Sequence, residues 1–327
     1  MAEISDIIKR NLAEIVTEEE FDRLLDVKKH PTTYCGYETS GPVHIGHLAA
    51  IYKQLDFLEA GFKVKVLFAD VHTRLNRKGS EQWIAERIEY WRECFIGAGL
   101  KAEFIVGSSF QFNKEYVRDV LELGLNSTLN RALRSMQEVA RDIENAHVSQ
   151  VIYPLMQAAD IKALDADIAH GGMEQRKIHM LARETLPLIG FRKPVCVHNP
   201  LLCSLQGPDV KMSSSKPESM IAVDDAPDVI RKKINGAFCP PEKDGNPIIE
   251  VCKILLFPRQ GKVGVKRPEK FGGDISYTSF AVLEGDYLSK KLHPMDLKKA
   301  VSESLVTLLA PIKEQVEKKG VSCTKPY

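Results

Sequence analysis

Tyr34-Cys35-Gly36-Tyr37-Glu38-Thr39-Ser40-Gly41-Pro42-Val43-His44-Ile45-Gly46-His47 is the stretch on which the reading of this chain turns. Its aromatic opening reads as a short strand, Ser40-Gly41-Pro42 breaks that strand, and the rest has the pattern of a helix start carrying two histidines three residues apart. Side chains at i and i+3 share a helix face, and the unpaired N–H groups at a helix start attract anions, so both imidazoles are expected to face a phosphate. Gly46 leaves room for a flat base against the backbone. Working outward, a helix over 44–60 ends at Gly61, and Lys63 to Ala69 gives a second strand that runs into Asp70-Val71-His72. A further helix over 81–98 and a strand over 103–106 repeat the alternation. The fold class is therefore α/β, a parallel sheet with helices on both faces, whose ligands bind at the carboxyl ends of the strands.

Upstream, residues 3–29 read as two short helices, the second opened by a capping box at Thr17 and Glu20 and burying Phe21, Leu24 and Leu25. Downstream, residues 113–146 are helical throughout and form an insertion in the sheet fold. Its stripe of Leu121, Leu125, Leu129, Leu133 and Met136 is read first as core, with a dimer contact as the alternative. The next apolar helix, 151–161, has Pro154 in its first turn and sets Tyr153, Gln157 and Asp160 on one face, where a phenol, an amide and a carboxylate point into a common space. A strand over 166–169 leads through His170-Gly171-Gly172 into a helix over 173–180, and a strand over 195–198 precedes a mobile loop over 204–217. The domain boundary falls between 205 and 226. Beyond it come a helix over 227–236, a proline-rich link at Cys239-Pro240-Pro241, a helix around 248–257, a variable loop, and a final helix from Pro294 to about Lys318. The organisation is thus N-terminal helices (1–30), a catalytic sheet domain (31–215) and a smaller helical unit (216–327).

Composition narrows the functional classes. With 45 basic and 44 acidic residues among 327, the chain is no general polyanion coat, and any nucleic acid must be met by local patches. Seven scattered cysteines, none in C-x-x-C spacing, indicate neither a zinc site nor a disulfide framework and fit the reducing cytosol. An acidic, amphipathic N-terminus and the lack of a long apolar run leave no expected signal peptide or membrane anchor.

Alone, the two histidines or Lys211-Met212-Ser213-Ser214-Ser215 say little; together, each after a predicted strand of one sheet and separated by a helical insertion, they specify a nucleotide site. With these motifs, and with Val151 through Gln157, Gly171-Gly172-Met173-Glu174-Gln175-Arg176-Lys177, Phe271-Gly272-Gly273-Asp274 and His293-Pro294-Met295-Asp296-Leu297, nearly the whole chain resembles the class I aminoacyl-tRNA synthetases, and among them the tyrosyl-tRNA synthetases of the archaeal and eukaryotic type. The resemblance implies a Rossmann-like doubly wound sheet with a helical insertion and a smaller, mostly α-helical C-terminal anticodon-binding domain. It implies a cytoplasmic homodimer that takes L-tyrosine, ATP with Mg²⁺ and tRNA(Tyr), and holds no tight prosthetic group.

The resemblance also assigns residues. His44 and His47 donate to the phosphates, while Lys211, Ser213, Ser214 and Ser215 hold the departing pyrophosphate, with Glu38, Gly46 and Met212 also lining the ATP site. Tyr34 and Asp160 bind the phenolic hydroxyl, Tyr153, Gln157 and Gln175 the α-amino group, and Gly36 and Ala69 complete the amino-acid site. Arg134, Arg176 and Lys177 meet the tRNA acceptor end; Phe271 and His293 stack an anticodon base, and Asp296 accepts from a guanine edge. A buried carboxylate left unpaired by phenylalanine rejects it without an editing domain. Two positions depart from the pattern. Ser214 stands where lysine is often found, one cation fewer on the pyrophosphate, and Thr39 where proline is common. With the chain ending at Tyr327 and no appended RNA-binding domain, anticodon reading is expected of residues after about 225. The rival readings are a tryptophanyl-tRNA synthetase, which Tyr34 with Asp160 disfavours, a nucleotidyltransferase, which would not need the C-terminal unit, and a non-catalytic RNA-binding paralogue, which would not need His44, His47 and Lys211.

Overall fold

The computed structural model describes residues 2–140, 143–210, 212 and 216–323. Helix α1 (Ala2–Lys9) leads into strand β1 (Glu14–Val16) and helix α2 (Glu18–Val27), then β2 (Thr32–Tyr37), α3 (Ile45–Glu59), β3 (Lys63–Phe68), the short α4 (Asp70–Leu75), α5 (Glu81–Gly97) and β4 (Glu103–Val106). The insertion follows as α6 (Lys114–Leu125) and α7 (Leu129–Ser135), and the sheet resumes through α8 (Val148–Ala163), β5 (Ile168–Gly172), α9 (Arg176–Thr185) and β6 (Val195–Asn199). Among the described residues six strands form one sheet in the order β1-β6-β5-β2-β3-β4. Every pair is parallel except β1 with β6. From β2 the chain builds outward through β3 and β4, then returns to the other side of β2 as β5. The carboxyl ends of β2 and β5 therefore flank the crevice where such sheets bind ligands.

Alternation along β2 divides the core: Cys35 and Tyr37 face the cluster of Leu48, Phe57, Trp91 and Phe95, while Tyr34 faces Ala158, Ile161 and Leu181 beneath α8. The capping box at Thr17 forms as expected, with the Glu20 N–H donating to the Thr17 hydroxyl at 3.1 Å, and Phe21 is fully buried.

Several expectations are corrected. The three-residue strand β1 lies where only a linker between helices was read; it is too short for a periodic signal and exists because its partner β6 offers an open edge. Strand β5 starts and ends later than 166–169, since the Asp167 carboxylate is held by the Thr32 N–H (2.8 Å), Lys28 and Arg192, and pairing begins at Ile168. Pro154 is inside α8, because His147 caps the helix reciprocally with Gln150 and starts it at Val148. The leucine stripe is not core at its first three positions: Leu121, Leu125 and Leu129 are 66%, 81% and 62% exposed. Their four-residue spacing crosses a helix break, where Thr128 caps α7 anew, and α6 buries Tyr116 and Leu123 instead.

Beyond the sheet, α10 (Pro227–Gly236) and α11 (Pro247–Val251) continue through a π-helical turn (Cys252–Leu256) into α12 (Phe257–Gln260). The expected variable loop contains a hairpin of β7 (Val263–Val265) and β8 (Ile275–Tyr277) and a helix, α13 (Phe280–Leu288), before the long α14 (Pro294–Lys319). Helix α14 packs along both α5 and α10, so this helical unit rests directly on the sheet layer.

Candidate active site

His44 is the N-cap of α3 and His47 the third residue of its first turn. The Gly46 N–H donates to His44 Nδ1 and the His44 N–H to His47 Nδ1, both at 3.1 Å. The Ile45 N–H donates to the Ile221 carbonyl at 3.0 Å and the His47 N–H to the His44 carbonyl at 2.8 Å. The first amides of the helix are thus already engaged, which corrects the expectation of free N–H groups for an anion. What the turn offers instead follows from the tautomer: an Nδ1 that accepts puts the proton on Nε2, so each ring is a neutral imidazole with one outward donor. Burial keeps them neutral, holding His44 down to about 4 and His47 well below its ordinary value, with His44 and Lys78 adding to the effect on His47. The rings stack with centroids 3.8 Å apart. The space above Gly46 is filled rather than open: a Cβ there would lie 2.9 Å from His44 Cε1 and 3.0 Å from the Met212 sulfur. Lys211, Ser213, Ser214 and Ser215 lie outside the described residues.

The second half of the site is a buried polar pocket between β2 and α8. Tyr34 is 1% exposed and Asp160 fully buried. Gly36, two residues on, keeps the Tyr34 hydroxyl uncrowded, since a Cβ there would lie 3.0 Å from it. Burial pushes the Tyr34 phenol well up, with the Asp160 charge adding to it. Asp160 Oδ1 accepts from Gln111 Nε2 and from the Tyr116 hydroxyl, each at 2.8 Å, while Oδ2 has no hydrogen-bond partner. Burial raises the Asp160 carboxyl, and His72, Gln111 and Tyr116 oppose that rise. Above it, Gln157 Nε2 donates to Gln175 Oε1 at 3.1 Å, joining α8 to the turn after β5. That turn carries Gly171 because a Cβ would sit 2.9 Å from the Gln175 side chain. Tyr153 stands edge-on to His72, centroids 4.6 Å apart, and its phenol is pushed well up by burial and the Glu38 carboxylate. Glu38 accepts from Asn76 Nδ2 at 2.9 Å and pairs with Lys78. Ala69, at the end of β3, donates its N–H to the Tyr37 carbonyl at 2.8 Å and closes the floor between the two strands.

The basic residues divide. Lys177 Nζ donates to Gln137 Oε1 and pairs with Glu138, each at 2.9 Å, while Gln137 and Arg134 line a cavity of about 390 Å³. Arg176 is turned away, its Nε donating to Glu14 of β1 at 2.6 Å. In the C-terminal unit, Phe271 is 62% exposed on a turn whose Gly272 and Gly273 have φ of 101° and 69°, values glycine tolerates. Arg267 bonds both the Gly273 and the Lys291 carbonyls, which fixes that turn beside His293. His293 is the exposed N-cap of α14, its Nδ1 accepting from the Met295 N–H at 3.2 Å, with Asp296 one turn in.

Residues 26–310 match the model of the tRNA synthetases class I (W and Y). The chain belongs to this family. A tyrosine–tRNA ligase of Methanopyrus kandleri is 48% identical over 314 residues, spanning 95% of this chain and 96% of that protein. Among solved structures of the family, a tyrosyl-tRNA synthetase complexed with L-tyrosine from Archaeoglobus fulgidus superposes with a TM-score of 0.93 at 47% identity, over 96% of this chain and 99% of the other. One from Aeropyrum pernix gives 0.89 at 40% identity, over 98% and 95%.

Within this class I site, three side chains were missed from the sequence: His72, Gln111 and Tyr116, which surround Asp160. His72 had a signal, since it closes a predicted strand at the carboxyl edge of the sheet. Gln111 lies in an irregular turn and Tyr116 near the start of an amphipathic helix, where neither stands out from its neighbours.

Proposed function

We propose that this chain activates L-tyrosine with ATP, giving tyrosyl-adenylate and pyrophosphate, and transfers the tyrosyl group to the 3′ end of tRNA(Tyr). The observation that carries the reading is Asp160, a fully buried carboxylate with one unpartnered oxygen, close enough to the buried Tyr34 for its charge to raise that phenol. Such an acceptor is costly unless a donor arrives, and the phenol of tyrosine is one. An indole fits less well, because it can donate but not accept, and the pocket also holds an unpartnered donor position at His72 Nε2. The names of the relatives, tyrosine–tRNA ligases at close to half identity over almost the full length, support the same conclusion.

In the first step the tyrosine carboxylate oxygen bonds to the α-phosphorus of ATP as the bond to the β-phosphate oxygen breaks; in the second, a 3′-terminal ribose hydroxyl of the tRNA attacks the tyrosyl carbonyl and AMP leaves. No covalent protein intermediate is needed, so the protein's part is positioning and charge stabilisation. Gln157 and Gln175 hold the α-amino end beside the glycine turn of β5. The Nε2–H groups of His44 and His47 donate to phosphate oxygens as negative charge builds, and their neutrality spares a desolvated cation. Lys211 and Ser213 to Ser215 hold pyrophosphate as it departs. Mg²⁺ would arrive with ATP and supply charge neutralisation at the phosphates. Arg134 and Lys177 receive the acceptor end, with Arg176 once it leaves Glu14, while Phe271, His293 and Asp296 of the C-terminal anticodon-binding unit read the anticodon. The chain works as a homodimer through the exposed leucines of α6 and α7, in the cytoplasm, where tRNA and ATP are both supplied.

Tyrosine-dependent exchange of labelled pyrophosphate into ATP tests the reading. Exchange with tyrosine, and with phenylalanine or tryptophan lower by two orders of magnitude or more, is the expected result. No exchange with tyrosine ends the proposal.

A further inference from the structure

The carboxylate of Asp160 is treated asymmetrically by its neighbours. Oδ1 receives two donors at 2.8 Å, Gln111 Nε2 and the Tyr116 hydroxyl. The Tyr116 proton has a second acceptor within reach, the Met156 carbonyl at 2.9 Å, and the charged oxygen makes the stronger bond. Gln111 Nε2 also reaches His72 Nδ1, at 3.3 Å, which leaves the imidazole proton on Nε2. That Nε2 lies 3.5 Å from Asp160 Oδ2, beyond hydrogen-bond range, and neither atom has another partner. Gly107 makes the arrangement possible, since a Cβ there would fall 2.5 Å from Gln111 Oε1 and exclude the amide.

We propose that Gln111 and Tyr116 are positioning residues of the amino-acid site: by saturating Oδ1 of Asp160 they fix the carboxylate plane and leave Oδ2, beside the Nε2–H of His72, as the donor–acceptor pair that reads the substrate hydroxyl. This inference rests on the tyrosine reading above and adds how selectivity is set. A phenol oxygen satisfies both atoms at once, donating to Oδ2 and accepting from His72. A substrate lacking the hydroxyl leaves both unpaired in a buried site. Without the two donors on Oδ1, the carboxylate rotates or takes a proton, and either change blunts the distinction.

The test uses the full chain with Tyr116→Phe, which removes one oxygen, Gln111→Met, which removes the amide at similar volume, and the double variant, all assayed by pyrophosphate exchange. For each single variant the expected result is a KM for tyrosine raised about tenfold, a tyrosine-to-phenylalanine ratio of kcat/KM lowered about tenfold, and an unchanged KM for ATP. The double variant should fall short of the product of the two, because both act on one oxygen. A folded Tyr116→Phe with unaltered tyrosine KM and unaltered ratio overturns the inference, as does a loss shared equally by the KM values for tyrosine and ATP, which marks a merely structural role. Should Gln111→Met fail to fold, Tyr116→Phe alone decides. Wild-type exchange with tyrosine, together with silent variants, refutes the positioning role only; absence of wild-type exchange refutes the tyrosine reading and this inference with it.

Discussion

Asp160 sits in the fourth turn of α8 with no exposed surface, where an ionised carboxylate is stable only if its oxygens are met by donors. Two donors meet one oxygen and none meets the other, so the residue presents one acceptor of defined chemistry rather than a general polarity. Replacing it by alanine removes the acceptor and leaves Tyr116 to the Met156 carbonyl and Gln111 to His72. For Asp160→Ala the expected outcome in pyrophosphate exchange is a loss of at least about a hundredfold in kcat/KM for tyrosine, and a tyrosine-to-phenylalanine ratio that collapses toward unity, with KM for ATP unchanged. Unaltered phenylalanine rejection would show that the hydroxyl is read elsewhere. The burial of Asp160 was legible in the sequence, since a polar residue set among Leu155, Met156 and Ile161 at helical spacing has to point somewhere polar, whereas Tyr34 was singled out only by resemblance. His72, Gln111 and Tyr116 were not legible, because they come from three separate segments and meet only through the sheet. Nothing local distinguishes a glutamine that reaches a carboxylate 49 positions away.

At the scale of the element, the start of α3 has the expected local structure but engages its first amides, which the sequence reading left free. Strand, break and helix all lie where the pattern put them, yet the amides assigned to the anion are spent inside the turn, on His44 Nδ1 and on the carbonyls of His44 and Ile221. Which amides a cap consumes depends on rotamers, and sequence spacing does not specify those. The same blind spot hid β1 and the shift of β5, both decided by pairing register rather than by residue type. Because His44 both caps the helix and carries a donor, the two roles can be separated. Asparagine is among the best N-caps but places no donor where the imidazole Nε2–H stood. His44→Asn is expected to keep the melting temperature within a few degrees while slowing exchange by about a hundredfold or more, at an unchanged KM for tyrosine. A parallel loss of stability and activity, measured by thermal unfolding beside the exchange assay, would mean that capping was its main contribution.

At the scale of the molecule, the sequence anticipated a sheet layer followed by a helical unit, and missed what joins them. Arg259 of α12 donates to Asp56 of α3 at 2.9 Å, and Arg10 after α1 and the buried Lys53 meet the same carboxylate. A joint built from residues 10, 53, 56 and 259 leaves no trace in local periodicity. The leucines of the insertion are the converse case: their spacing was conspicuous, but whether they face core or solvent depended on a helix break at 126–128. Three leucines at 62% exposure or more on neighbouring short helices form a surface that a second copy can cover. Helix α6 bears Leu121 and Leu125 on its outer side and Tyr116, bonded to Asp160, on its inner side. A second copy covering Leu121 and Leu125 would brace the helix that carries Tyr116 to Asp160. Wild-type protein is expected to sediment as a dimer, and Leu121→Glu with Leu125→Glu as a monomer, since two charges opposing each other across a two-fold contact cannot be desolvated cheaply. The same double variant should raise the KM for tyrosine several-fold while leaving the KM for ATP unchanged. Dimeric sedimentation of the double variant would place the contact on another face, and a monomeric variant with wild-type tyrosine KM would sever the link from α6 to Asp160.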